Sequence, residues 1–316
     1  MCDLTNPIFT DDDKAREHLE AIRWPNGPVC PHCGGVEQIK PLTGKGVRAG
    51  LYYCNDCEGQ FTATVGTVFE RSKVPLHKWV LAFHLVCASK KGMSAHQLHR
   101  MLGVTYKTAW FMCHRIREAM VTTPTGPLGE NGGTVEADET FWGTSPRSNK
   151  AKAIKKSGRY VNVHDKQKVI ALVERNGEVR SFHVASINGK TLKAVLTNNI
   201  SPSANLMTDD YHGYRAIAKG FASHQAVKHS AGEYARGNAH SNTVEGFFSI
   251  LKRGLIGTYH HVAPKHLGRY CTEFDFRYNT RTALGFTDAQ RAQLALKGIA
   301  GKRLTYRRTE GAQRAA

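Results

Sequence analysis

Two cysteine pairs near the N-terminus limit this chain more than any other feature. Cys30-Pro-His-Cys33 and Cys54-Asn-Asp-Cys57 each hold two thiols three positions apart, and twenty residues separate the pairs. A CxxC step brings both sulfurs to the inside of one tight turn, so two such turns supply the four soft ligands of a closed, tetrahedral Zn²⁺ site. Gly34-Gly35 and Gly59 follow the pairs and permit that turn geometry. Leu51-Tyr-Tyr53 and Gln60-Phe-Thr-Ala-Thr64 read as short strands, and residues 28–66 therefore read as a zinc ribbon. A lone CxxC could be a redox dithiol, but two pairs at this spacing favour metal. His32, inside the first knuckle, reads as an exposed or supporting residue and not as a ligand. Cys2 is terminal, whereas Cys87, Cys113 and Cys271 lie in apolar patterns and read as buried, inert thiols.

With 316 residues the chain has room for two or three domains, and 41% apolar with 22% charged residues is the balance of a soluble globular protein. No apolar run approaches the ~18 residues that span a bilayer. The acidic start at Asp11-Asp12-Asp13 does not resemble a secretory signal, so the expected location is the cytoplasm. A net charge of +18 and a pI near 9.7 imply a polyanionic partner, because such a field attracts phosphate backbones and releases their counterions.

Residues 1–27 hold a first helix, with Thr10 and Asp13 at its start and Ala15, Leu19, Ala21 and Ile22 as its apolar stripe. Residues 67–121 change to helical periodicity. Leu76, Trp79, Val80, Phe83 and Val86 mark one helix; Ser94 starts a second, Gly103 breaks it, and Thr105 starts a third. A short Gly-containing turn followed by a basic helix fits a helix-turn-helix, with Lys107, Arg115 and Arg117 as candidate DNA contacts. An ordinary helical hairpin covering a core is the other reading. Residues 122–133, rich in Gly and Pro, read as a linker, and residues 286–316 as a basic tail.

The run Thr134-Val-Glu-Ala-Asp-Glu-Thr-Phe-Trp142 alternates apolar residues with acids and is punctuated by glycines, so it reads as a strand that holds Asp138 rigidly. Asp209 ends the apolar run 204–208, and Glu245 lies in an amphipathic helix that starts near Thr243. Three carboxylates on two strand ends and a helix suit two hard divalent cations, Mg²⁺ or Mn²⁺, and hence phosphodiester chemistry. Glu136 and Glu139 compete with Asp138, and Asp210 with Asp209; by strand parity Glu136 shares a face with Asp138 while Glu139 points away. A basic run that includes Lys155 and Lys156 reads either as a solvated loop or as a DNA-backbone contact. Residues 168–184 read as an Asn176-Gly177 hairpin. A helix over 189–197, a helix near 214–222 and a strand near 225–229 complete the order over residues 134–285. Three strands, a helix, a strand, a helix, a strand and a helix match a ribonuclease-H-like α/β plan with a mixed five-stranded sheet.

The chain resembles a bacterial insertion-sequence DDE transposase of the ISXO type with an N-terminal zinc ribbon. The resemblance rests on the four cysteines, on Val135-Glu-Ala-Asp-Glu-Thr-Phe-Trp-Gly143, on Thr208-Asp-Asp-Tyr-His-Gly-Tyr214 and on His240-Ser-Asn-Thr-Val-Glu-Gly-Phe-Phe-Ser-Ile-Leu-Lys-Arg253. It implies that Asp138, Asp209 and Glu245 form the catalytic triad and hold the metal, and that Lys252, beside Arg253, contacts DNA. It further implies cleavage at element ends, strand transfer into target DNA, and a dimer or higher oligomer that joins two ends. Thirty-five residues lie between Asp209 and Glu245, a separation familiar from integrase-like enzymes, and Lys252 follows Glu245 by two helical turns on the same face. Two points stay open. Glu245 three residues after Asn242 could simply close a capping box, and Asn242 could itself be the third ligand.

Three other readings compete. His266-Leu-Gly-Arg269 with Tyr306 faintly resembles a tyrosine recombinase, and Tyr259-His-His261 a nicking-enzyme metal site. The third is a transposase-derived zinc-ribbon protein that binds DNA without cutting it. Metal-dependent cleavage separates the enzyme from the binder, and resistance to chelator would point to the tyrosine mechanism.

Overall fold

The computed structural model describes residues 3–143, 166–227 and 235–305. Its chain divides into two units, one of residues 1–122 with 280–316 and one of residues 123–279.

In the first unit Asp11, not Thr10, starts the helix Asp12–Arg23. Its carboxylate accepts from the amides of Asp13 and Lys14, two of the donors that a helix start leaves unpaired. Ala15, Leu19 and Ile22 form the buried stripe. Trp24 then meets Tyr52 and Phe61 edge-on at 5.5 and 5.8 Å, which gives the adjoining ribbon a small aromatic core. That ribbon is three short antiparallel strands, β1 (Ile39–Pro41), β2 (Tyr52–Cys54) and β3 (Gly59–Phe61), in the order β1-β2-β3.

The helices Leu76–Ala88, Ala95–Leu102 and Tyr106–Ala119 follow their sequence signals. Ser94 accepts from the Gln97 amide, Thr105 accepts from the Thr108 amide, and Gly103 closes the middle helix at φ 61°, a left-handed conformation that costs glycine little. Residues 286–305, read from the sequence as tail, contain a further helix, Asp288–Lys297, with a Thr287/Gln290 capping box and buried Ala292, Ala295 and Leu296. It packs against Leu76–Ala88. Arg291, only 8% exposed, donates to the carbonyls of Thr280 and Cys87. A buried, carbonyl-bound arginine looks the same in sequence as a solvated one, so charge density misled here.

The second unit is a ribonuclease-H-like α/β fold on a mixed sheet. Its strands are β4 (Thr134–Trp142), β5 (Gln167–Glu174), β6 (Val179–Val184), β7 (Asn205–Asp209) and β8 (Ser223–Val227), in the order β6-β5-β4-β7-β8. β5 pairs antiparallel with both β4 and β6, whereas β7 pairs in parallel with both β4 and β8. The Asn176-Gly177 turn is present, with Asn176 at φ 62°. Val169, Ala171 and Val173 face a core built on the helices Asn242–Gly254 and Leu267–Asn279; Ile170 and Leu172 face one built on Gly189–Asn199. Burial on both faces explains the unbroken apolar run of β5.

Three details differ from the sequence reading. The helix foreseen near 214–222 is two short 3-10 turns, His212–Tyr214 and Ala218–Gly220. Gly213 has Tyr211 and Leu192 packed so close that a Cβ would meet them at 2.6 and 3.0 Å, and the buried Tyr214 is held by its hydroxyl, so packing and not helical periodicity shapes this stretch. A two-stranded ribbon, β9 (Ala235–Arg236) with β10 (Ala239–His240), precedes the Asn242–Gly254 helix. Within 122–133, Leu128 is 2% exposed and its amide and carbonyl pair with Asn199 and Ser201, so this stretch contributes to the second unit's core. Among the described residues no helix is long and apolar enough to cross a membrane.

Candidate functional site

The four ribbon cysteines converge. Cys30 and Cys33 sit on the turn before β1, Cys54 ends β2, and Cys57 lies in the turn to β3. Their sulfurs all lie within 4.8 Å of one another, with Cys30–Cys57 at 3.6 Å and Cys33–Cys54 at 3.7 Å. A tetrahedral site with Zn–S bonds of ~2.3 Å has edges of about 3.8 Å, so the thiols already stand at the corners that zinc requires. Crowding splits their ionisation. Desolvation, and then the Cys30 sulfur, push Cys57 up to about 12, whereas Cys30, despite its own desolvation, is drawn down to about 6 by the Cys33 and His32 amides. His32 is exposed and its ring nitrogen meets the Gln60 carbonyl at 3.4 Å, outside the sulfur cluster. Cys87, Cys113 and Cys271 are each buried, as their apolar surroundings implied.

Asp138 lies in the middle of β4, and Asp209 is the last residue of β7. The parallel register ends with Glu136 paired to Met207, and Asp138 and Asp209 each follow that pair by two residues on their own strands. Burial, followed by the charges of Glu139, Asp209 and Glu245, pushes Asp138 up to about 7, even though the Glu139 amide donates to its carboxylate at 2.7 Å. Asp138 therefore feels the charges of both Asp209 and Glu245. Among the described residues they do not draw together as tightly as the cysteines, whose quartet is the one cluster with all its ligand atoms within 4.8 Å.

Two of the competing acids, Glu136 and Glu139, have partners of their own. Glu139 lies on the opposite face of β4, where the Tyr214 hydroxyl donates to it at 2.7 Å. Burial raises its carboxyl, and the Asp209 charge adds to that against the Tyr214 hydrogen bond. Glu136 shares the Asp138 face but is fully buried and bound by Arg175 and by the start of the Asn242–Gly254 helix. Asp210 lies just past the end of β7.

Glu245 is exposed in the first turn of its helix, and the Ser241 hydroxyl donates to it at 3.1 Å. The residue before that helix is Ser241 and Asn242 is the first residue inside it, so Glu245 stands four positions from the cap and closes no capping box with Asn242. Lys252 and Arg253 are exposed in the last turn, with Lys252 seven residues beyond Glu245. Arg253 folds back onto the Ser249 carbonyl at 3.1 Å.

The basic residues assigned to DNA separate into two sets. Lys107 is exposed at the start of the Tyr106–Ala119 helix. Arg115 and Arg117 are 9% and 3% exposed, which corrects their reading as surface contacts. Arg115 donates to the carbonyls of Glu70 and Leu304 and lies over the Phe111 ring, so it ties together segments of its own unit. Arg115→Ala should lower stability by about 1–3 kcal/mol, the usual loss for buried carbonyls deprived of a charged donor, and should leave the salt slope of DNA binding unchanged. Thermal melting beside a salt titration checks both. Lys155, Lys156 and Tyr306 lie outside the described residues.

The family model of the ISXO2-like transposase domain matches residues 131–279, and that of the transposase zinc-ribbon domain matches residues 10–60. Just under half of the chain is therefore similar to the ISXO2-like transposase domain, and its N-terminal part to the zinc ribbon of transposases. The chain is 28% identical over 277 residues to an uncharacterized protein in transposable element ISH50 of Halobacterium salinarum, a match that covers 85% of this chain and 91% of the other. The zinc-ribbon match includes all four cysteines, and the transposase-domain match includes Asp138, Asp209 and Glu245. Sequence reasoning missed Arg175, His240 and Tyr214, which lie against the neighbouring glutamates. Arg175 sits beside the hairpin turn and Tyr214 in a Gly-flanked aromatic motif, and nothing in either stretch names a partner.

Proposed function

We propose that the protein cuts DNA at the ends of an insertion element and joins the freed 3′ ends to target DNA. The observation that carries this is that Asp138 and Asp209 each follow the last pair of the parallel β4–β7 register, Glu136 with Met207, by two residues, and that the charges of Asp209 and Glu245 both raise Asp138. Asp138, Asp209 and Glu245 would hold two Mg²⁺ or Mn²⁺ ions, which supply Lewis-acid stabilisation and a clamp on an in-line phosphoryl displacement. Water attacks the phosphodiester at the element end and leaves a 3′-hydroxyl; that hydroxyl attacks a target phosphodiester in turn. The first displacement spends water to break one phosphoester bond, leaving a 5′-phosphate beside the 3′-hydroxyl, and the second exchanges one phosphoester bond for another, so no nucleotide cofactor is needed.

DNA is held by the chain's positive charge. No aspartate or glutamate occurs between Glu70 and Glu118, a segment that includes the whole helix-turn-helix. Its exposed end carries Arg100 and Lys107, with Tyr106, 45% exposed, stacked on the His96 ring at 4.2 Å. With Arg115 and Arg117 buried, these residues replace them as the proposed groove contacts. Lys252 contacts a phosphate next to the acids, and synapsis of two ends calls for at least a dimer.

Incubating the zinc-loaded protein with labelled candidate element ends tests this reading. Cleavage that appears with Mg²⁺ or Mn²⁺, stops with chelator and leaves a 3′-hydroxyl supports it. Binding without cleavage at any metal concentration would leave a DNA-binding protein only, and chelator-resistant cleavage would point to a covalent tyrosine mechanism.

A further inference from the structure

We propose that Glu136 is a positioning residue whose buried carboxylate fixes the start of the Asn242–Gly254 helix on β4 and thereby sets where Glu245 stands. The proposal rests on the reading of Glu245 as a metal ligand. Glu136 is completely buried, which a carboxylate tolerates only when every oxygen is engaged. One oxygen accepts from the amides of Thr243 and Val244 at 2.8 and 3.0 Å. The other accepts from the Thr243 hydroxyl at 2.8 Å and from Arg175 at 2.6 Å, and faces the His240 ring nitrogen at 3.2 Å. Arg175 reaches on to the His240 carbonyl at 3.0 Å, so the chain entering the helix is held as well as the helix.

A helix start normally takes its cap from the residue before it, but Ser241 caps nothing with its side chain. The cap comes instead from a strand more than a hundred residues earlier in the chain, and the Ser241 hydroxyl donates to Glu245 at 3.1 Å. The negative charge also sits where the helix dipole favours it. Glu136 is two residues from Asp138 on the same strand face, about 7 Å along the strand. One rigid strand therefore carries Asp138 and grips the helix that carries Glu245, which couples the spacing of two proposed ligands.

Glu136→Gln tests this, because the amide keeps the volume but turns one oxygen into a donor that faces other donors. In zinc-loaded, full-length protein, deuterium exchange at the amides of Thr243 and Val244 should accelerate, and the Kd for Mn²⁺ measured by calorimetry should rise ~10-fold, as for lost outer-shell support of a ligand. The effect on Mn²⁺ should vanish in a Glu245→Gln background, since Glu136 acts through Glu245. A folded Glu136→Gln protein with wild-type Mn²⁺ affinity overturns the proposal alone, as does equal weakening in both backgrounds. Wild-type Mn²⁺ affinity in Glu245→Gln itself overturns the ligand reading beneath it. If Glu136→Gln does not fold, Arg175→Lys serves instead: it keeps a cation beside Glu136 but loses the fork to His240, and should weaken Mn²⁺ binding in the same direction and by less. No weakening there overturns the proposal.

Discussion

Glu245→Gln should reduce Mg²⁺-dependent cleavage of element ends by ~10³-fold or more, the several kcal/mol of transition-state charge stabilisation that a correctly held metal supplies. Binding of those ends should survive, because the substitution removes an anion and moves no cation away from DNA. Lys252→Ala should do the reverse. If Lys252 meets one phosphate as a point charge, its loss should weaken end binding and reduce the slope of log affinity against log salt by about one, with metal affinity little changed. The two side chains share a helix face two turns apart, so the pair of variants separates metal holding from phosphate holding within one element. A helix-stabilising role for Glu245 predicts near-normal behaviour of Glu245→Gln, because Gln accepts the Ser241 hydroxyl equally well. A Glu245→Gln protein that still cuts would sink the third-carboxylate assignment and move it to the exposed Asn242.

Cys54→Ser should take zinc from about one ion per chain to near none and unfold the ribbon while the second unit stays folded. The ribbon has little else to hold it. Its strands are three residues long and its core is Trp24, Tyr52 and Phe61, whereas structural zinc in such modules contributes apparent free energies of ~10–16 kcal/mol. Cys54 is fully buried at the end of β2, so serine cannot swing away to make room for a substitute ligand. DNA binding should weaken with the loss of the ribbon. Elemental analysis together with protease mapping checks the outcome, and a metal-free Cys54→Ser protein with an intact ribbon would contradict the structural role of the metal.

Local chemistry made much of this legible in sequence. The cysteine spacing specifies its own geometry, caps at Ser94 and Thr105 specify helix starts, and the Asn-Gly turn specifies a hairpin. Strand parity separated Glu136 and Asp138 from Glu139 before any contact was known. What could not be read depends on which distant element lands where. Arg115 and Arg117 carry the same charge as surface arginines, but their helix face is turned inward. The spacing of Asn242 and Glu245 left a capping box open as an alternative, yet the helix start is bound by Glu136, from another part of the chain. The stretch around Tyr214 has helical periodicity but is shaped by one hydroxyl reaching Glu139 across the fold.

The central claim is that Asp138 anchors a metal-dependent phosphodiester site, and Asp138→Asn tests it with almost no change in volume. Wild-type and variant protein, zinc-loaded and at equal concentration, are incubated with labelled element ends over a series of Mg²⁺ and Mn²⁺ concentrations, and the 3′-hydroxyl product is quantified beside binding of the same ends. Wild-type product should rise with metal while Asp138→Asn gives none above background at full binding. Undiminished product from Asp138→Asn would contradict the account.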